Sequence, residues 1–87
     1  MNLRDDVTLA ETPDGTVLLD GRSGRYWQLN PTGSRVLTWL LDGLSQDEAA
    51  TCLADRHSLP LEKSAADVSS LVDQLRSAGL VLGVVPT

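Results

Sequence analysis

Cys52 and His57 are the residues whose types could pair as a nucleophile and its base. They stand five apart on one predicted helix, which turns them about 140° away from each other around the axis. A nucleophile needs its base within hydrogen-bond reach, and the chain holds no second histidine. Cys52 is therefore read as a small, buried, apolar residue. His57 is read as a side chain at a helix end, where the dipole favours a cation. The carboxylates converge no better. Asp5 and Asp6 precede the first predicted strand, and Asp47 and Glu48 belong to a first helical turn, where the dipole favours them. Asp67 and Asp73, six apart, read as a solvated face. No spacing among them matches a metal loop or a glycosidase pair. One cysteine allows neither a disulfide nor a zinc set within a chain. No catalytic group, metal or cofactor is expected.

Chemistry of another kind lies in Arg25-Tyr26-Trp27-Gln28-Leu29-Asn30-Pro31. Tyr and Trp favour strands because flat, bulky side chains fit a pleated, half-buried surface. Asn30 can accept from the first free N–H groups of a helix, and Pro31 suits the first helical position. Alternation sends Trp27 and Leu29 to one face and Tyr26 and Gln28 to the other. The stretch carries neither Pro nor Lys before Asn30, the usual devices that block a sheet edge. Left open beside apolar surface, such an edge is a docking place for an extended peptide.

Three strands and three helices position this edge. Val7 and Leu9 alternate with Thr8 and Ala10; Thr12-Pro13-Asp14-Gly15 makes a hairpin turn; Thr16–Asp20 is the second strand. After Gly21–Gly24 comes the third, Arg25–Leu29. Such short links give an antiparallel meander, since a parallel return needs a long crossover. The third strand then lies at an edge. Helix one is expected over Pro31–Leu41, with Val36, Leu37, Leu40, Leu41 and Leu44 on its buried side and Gly43 as its left-handed cap. Ser45 and Glu48 form a capping box opening helix two, which runs to about His57 and buries Ala49, Cys52 and Leu53. Helix three is expected from Pro60 or Leu61 to Ala78, on a stripe of Leu61, Ala65, Val68, Val72 and Leu75 widened by Leu71. Its residues Leu71, Val72 and Leu75 would line a groove beside the third strand. Val81, Leu82, Val84 and Val85 leave two readings open, a short extra strand or a surface run, and residues 1–4 read as a loose tail.

Size and charge narrow the partners. Eighty-seven residues, 41% of them hydrophobic, make a single domain over 1–87 with its ordered core at about residues 5–82. The net charge of −5 disfavours nucleic acid and suits a neutral or basic partner. The N-terminus lacks a signal-like apolar run, and nothing approaches a membrane span, so a soluble cytoplasmic protein is expected. The tight joint Asp42-Gly43-Leu44-Ser45 also fits a helix-turn-helix, which keeps a winged-helix DNA-binding regulator as an alternative. Against it, helix two sets Asp47, Glu48 and Asp55 beside Arg56 alone.

Leu18-Leu19-Asp20, the block Gly24–Gly33, Leu41-Asp42-Gly43, Ala66-Asp67-Val68 and Leu75–Leu80 together resemble the precursor-recognition elements of ribosomally made peptide natural products (RiPPs). They are similar, more narrowly, to the stand-alone leader-binding proteins of lasso-peptide biosynthesis, relatives of PQQ-biosynthesis protein D. The resemblance implies an α+β, winged-helix-like fold without catalytic activity: a three-stranded antiparallel sheet followed by three helices. It implies that a precursor leader adds as an antiparallel strand between the third strand and the third helix. By position, Arg25, Tyr26, Trp27, Gln28 and Leu29 would form the strand side, and Asp67, Val68, Leu71, Val72 and Leu75 the helix side. Leaders of the lasso type carry a Tyr and, three positions on, a Pro. A separate cysteine protease then cleaves the leader, and an ATP-dependent cyclase takes the core; a chain of this length leaves no space for a fused protease. Recognition of another RiPP class is a further alternative, and two free third-strand edges could pair into a dimer.

Overall fold

The computed structural model describes residues 1–82. In chain order the elements are β1 (Asn2–Leu3), β2 (Val7–Thr12), β3 (Gly15–Asp20), β4 (Tyr26–Leu29), α1 (Pro31–Leu41), α2 (Gln46–His57), α3 (Leu61–Ser77) and β5 (Val81–Leu82). The expected meander is present: β2-β3-β4 forms an antiparallel sheet, with Leu9 opposite Leu18 and Leu18 opposite Trp27. This is an α+β, winged-helix-like fold. The first hairpin turns on Pro13-Asp14, with Thr12 paired to Gly15. Gly15 has φ +134°, and a Cβ there would lie 1.9 Å from the Leu29 carbonyl oxygen. Only glycine lets β3 begin so close to the end of β4.

Local chemistry sets the helix limits where the sequence placed them. The Asn30 side chain accepts from the Gly33 N–H at 2.8 Å, with Pro31 behind it in the first turn. Ser45 and Glu48 bond reciprocally at 2.9 and 3.1 Å. Helix α1 ends with Leu44 N–H donating to Trp39 and Gly43 N–H to Leu40; α3 ends with Leu80 N–H to Leu75 and Gly79 N–H to Arg76. These are paired C-terminal closures around a glycine at positive φ. Ser58 plays the same part after α2 at φ 51°.

Helix α1 lies across β3 and β4, while α2 and α3 pack chiefly on each other. Leu18, Leu37, Leu53 and Leu80 are fully buried where these layers meet, each contributing about 1.5–3 kcal/mol. The Thr16 and Ser34 hydroxyls bond to each other between β3 and α1, which satisfies both beneath the sheet.

Three expectations change. Residues 1–4 are not a loose tail: Asn2 and Leu3 pair with Leu82 and Val81 as a second, two-stranded sheet. That also resolves the C-terminal alternative for Val81 and Leu82; Val84 and Val85 lie outside the described residues. Cys52 is half-buried, and Ala50 takes the interior place expected for it. On α3 the buried stripe runs through Ser64, Val68, Leu71, Val72 and Leu75, leaving Leu61 and Ala65 exposed. A pattern built from apolar residues skips Ser64, although it is completely buried.

Among the described residues the Ser64 hydroxyl has no hydrogen-bond partner. An unsatisfied buried hydroxyl costs about 1–3 kcal/mol. Ser64→Ala is expected to stabilise the fold by about 1 kcal/mol, a rise in Tm of roughly 4–8 °C. Thermal unfolding followed by circular dichroism checks this; a fall in Tm would mean that the hydroxyl is bonded in solution.

Candidate functional site: an open strand edge and its groove

Strand β4 uses one of its two flanks. It pairs with β3 on one side and is the last strand of its sheet on the other. The Asp20 N–H donates to the Arg25 carbonyl at 2.9 Å, which fixes the phase of the ladder. In an antiparallel pair, hydrogen-bonded residues alternate, so the backbone groups of Arg25, Trp27 and Leu29 face β3. Those of Tyr26 and Gln28 face outward, and no described residue engages them. Side chains alternate independently: Leu29 is buried and Trp27 half-buried on the helix side, while Arg25, Tyr26 and Gln28 are exposed, Tyr26 by 71%.

A groove of about 270 Å³ begins at the end of this strand. Its floor is Val36, Leu53 and Leu71; its rim is Asn30, Thr32 and Gly33 on one side and Asp67, Ser70 and Gln74 on the other. Of the five helix-side positions singled out from sequence, Asp67 and Leu71 line this groove. Val68, Val72 and Leu75 are members of the core, each at most 2% exposed, and form the wall behind it. Ser70 and Gln74, on the rim, were not singled out. Their polar side chains carry no periodic signal; only their place one turn from Asp67 and Leu71 could have pointed to them.

The sequence matches the family profile of Coenzyme PQQ synthesis protein D (PqqD) over residues 15–81. The chain belongs to the PqqD family. Two solved structures share the family fold with a TM-score of 0.88 each. "Lasso peptide synthetase B1 complexed with the leader peptide" is 39% identical, with 94% of this chain and 96% of that one covered. "TbiB1 in Complex with the TbiA(beta) Leader Peptide" is 26% identical, with 99% and 100% covered. No curated protein matches the sequence.

In this PqqD-family chain the turn leading into β4 is set by a buried carboxylate. Asp20, 5% exposed, accepts from the Arg22 N–H at 2.9 Å, from the Ser23 hydroxyl at 3.0 Å and from the Arg4 guanidinium. The Arg22 N–H bond, then the Ser23 hydroxyl and the Arg4 charge, hold its pKa below the usual aspartate value of 3.8 against the opposing effect of burial. Asp6 is likewise lowered, first by its bond to Arg4. Among the described residues no group of acids, histidine and cysteine is arranged to hold a metal ion. No helix there is long and apolar enough to cross a membrane.

Carboxylates with lowered folded pKa values stabilise the fold above their unfolded value and lose that contribution as pH falls through the folded one. Stability is therefore expected to be level from pH 7 to about pH 5 and to decline below 3.8 as Asp6 and Asp20 protonate. Urea midpoints measured across that range check this. Asp20→Asn should lower the plateau and flatten the acid limb; an unchanged limb would remove Asp20 from the account.

Proposed function

We propose that the chain binds the leader region of a ribosomally made precursor peptide as an added antiparallel strand along β4, between β4 and α3. The protein is a recognition partner in lasso-peptide biosynthesis, not a catalyst. It hands the leader–core junction to a separate cysteine protease, and an ATP-dependent cyclase acts on the freed core. The observation that carries this reading is the outward row of backbone groups on Tyr26 and Gln28, unpaired among the described residues, with a groove of apolar floor opening at Asn30 just past the strand. The 39% identity to a lasso peptide synthetase B1 solved with a leader peptide supports it.

In this reading Arg25, Tyr26, Trp27, Gln28 and Leu29 form the strand wall. Asp67 and Leu71 meet the peptide from the helix side, with Val68, Val72 and Leu75 shaping the surface beneath. A leader of the Tyr-x-x-Pro type would pair its backbone with β4 and seat an apolar side chain over Leu71. Helix α2 exposes Asp47, Glu48 and Asp55, a charge pattern that would repel phosphate, so duplex DNA is a poor partner.

Two substitutions test the edge and the groove without entering the core. Gln28→Pro deletes one outward N–H and leaves the ladder to β3 intact. Ser70→Trp fills the groove from its rim. Titration of a fluorescein-labelled synthetic peptide bearing Tyr-x-x-Pro, read by anisotropy, should show each variant at least tenfold weaker, with near-native circular dichroism. Wild-type affinity in both would place the binding surface elsewhere. Glutamate at Val72 or Leu75 is a poor probe, because a carboxylate in the core would unfold the domain.

A further inference from the structure

Arg4 is the residue that joins the two walls of the cleft. One end of the cleft is closed covalently, because β4 runs through Asn30 straight into α1, whose first turn shares the groove with α3. At the other end β4 and α3 are not consecutive, and the N-terminal segment bridges them, its backbone bonding to Leu80 at Arg4 and to Gly21 at Asp6. There the start of β4 and the end of α3 belong to segments some fifty residues apart.

Arg4 spans that gap. Its guanidinium donates to the Asp20 carboxylate on the sheet side and, through Nη1, to the Gly79 carbonyl at 2.8 Å on the helix side. Its own N–H donates to the Leu80 carbonyl at 2.9 Å, and a third guanidinium bond goes to Asp6. The sheet-side contact continues into β4. Asp20 holds the Ser23 hydroxyl, Ser23 Oγ accepts the Arg25 N–H at 3.2 Å, and the Asp20 N–H holds the Arg25 carbonyl. The helix-side contact falls on Gly79 and Leu80, the residues that close α3. The Arg4 side chain is 14% exposed and that of Asp20 8%, so water competes little for the sheet-side bond, while the bond to the Gly79 carbonyl lies at the surface.

We infer that Arg4 is a positioning residue for peptide binding: by tying the entry of β4 to the C-terminal end of α3, it fixes the spacing of the cleft before a peptide arrives. This rests on the strand-addition reading above. A planar guanidinium suits the role because it presents several donors in fixed directions, whereas a lysine ammonium is a point charge on a flexible stem. Preorganisation of this kind raises affinity by removing the cost of ordering the site on binding.

Arg4→Met and Arg4→Lys test it. Each is titrated with the same labelled Tyr-x-x-Pro peptide well below its unfolding temperature, and amide hydrogen exchange is measured without peptide. Arg4→Met is expected to bind about tenfold more weakly, and Arg4→Lys to recover only a minor part of the loss. Exchange should quicken at residues 20–26 and 77–81, not across the α2–α3 contact. Full recovery by Arg4→Lys, or exchange that quickens uniformly, would reduce Arg4 to a charge or to general stability and overturn the inference. If the wild-type protein itself fails to bind the peptide, the strand-addition reading falls. The exchange pattern then still decides whether Arg4 couples the two segments.

Discussion

A β-strand has two rows of hydrogen-bonding groups, and the fold satisfies only one row of β4. This constraint organises the molecule. The second row cannot be buried against the protein's own side chains, because unpaired N–H and C=O groups away from water are costly. It must face solvent or another strand. Helix α3 and the first turn of α1 enclose a groove that begins at Asn30, one residue past β4, so its apolar floor continues on from the strand's end. Gly15 serves the same end from the other flank. By admitting the Leu29 carbonyl so closely, it lets β3 follow β4 to its last residue, where α1 begins.

Where a boundary depends on neighbouring residues, the sequence was sufficient to find it. Asn30-Pro31, Ser45 with Glu48, Gly43 and Gly79 each stop or start an element through bonds spanning a few residues, and α1 and α2 end at Leu41 and His57 as expected. Contacts across long separations were not legible. Nothing in Asn2-Leu3-Arg4 shows that a strand pair with residues 81–82 will form, or that Arg4 will reach Asp20 and Gly79. The groove was legible only in part. Residues 25–29 stood out by aromatic content and missing edge blockers, yet none of the five lines it; of the helix-side positions Asp67 and Leu71 do. On α3 a single apolar stripe was expected to serve both core and groove, but one stripe faces one way. Val68, Val72 and Leu75 are spent on the core. The groove is left with Leu71 at the stripe's margin and the polar residues beside it.

The two ends of the cleft are held by different means, and the difference reflects chain order. Consecutive elements meet at the Leu29 end, so one capped helix start suffices there. At the other end, Asp6 and Asp20 from the first quarter of the chain and Gly79 from after α3 converge on Arg4, which bonds to all three. A strongly directional cation suits a junction where three separate segments meet. The same cluster depresses the pKa of Asp6 and Asp20, so on the inference drawn above the ordering of the cleft and the acid stability of the domain would depend on the same bonds.

The sheet has a second free edge, on β2, and backbone pairing alone would not distinguish the two. Strand β2 is longer, and from Thr8 onward every residue on it is exposed. A groove of about 360 Å³ lies at the end of β2 as well, between Glu11-Thr12-Pro13 and Arg35, Thr38 and Trp39 of α1. Tyr26 and Gln28 offer two N–H and two C=O groups, each bond contributing about 0.5–1.5 kcal/mol net. Micromolar binding requires about 8 kcal/mol beyond the cost of ordering an extended peptide. The remainder has to come from buried apolar side chains, at roughly 1.5–3 kcal/mol each; the groove at the end of β4 is floored by Val36, Leu53 and Leu71, whereas the one at the end of β2 is lined by Arg35, Thr38 and Trp39. In the proposed reading the edge would therefore set direction and register, and the groove would decide which peptide is held.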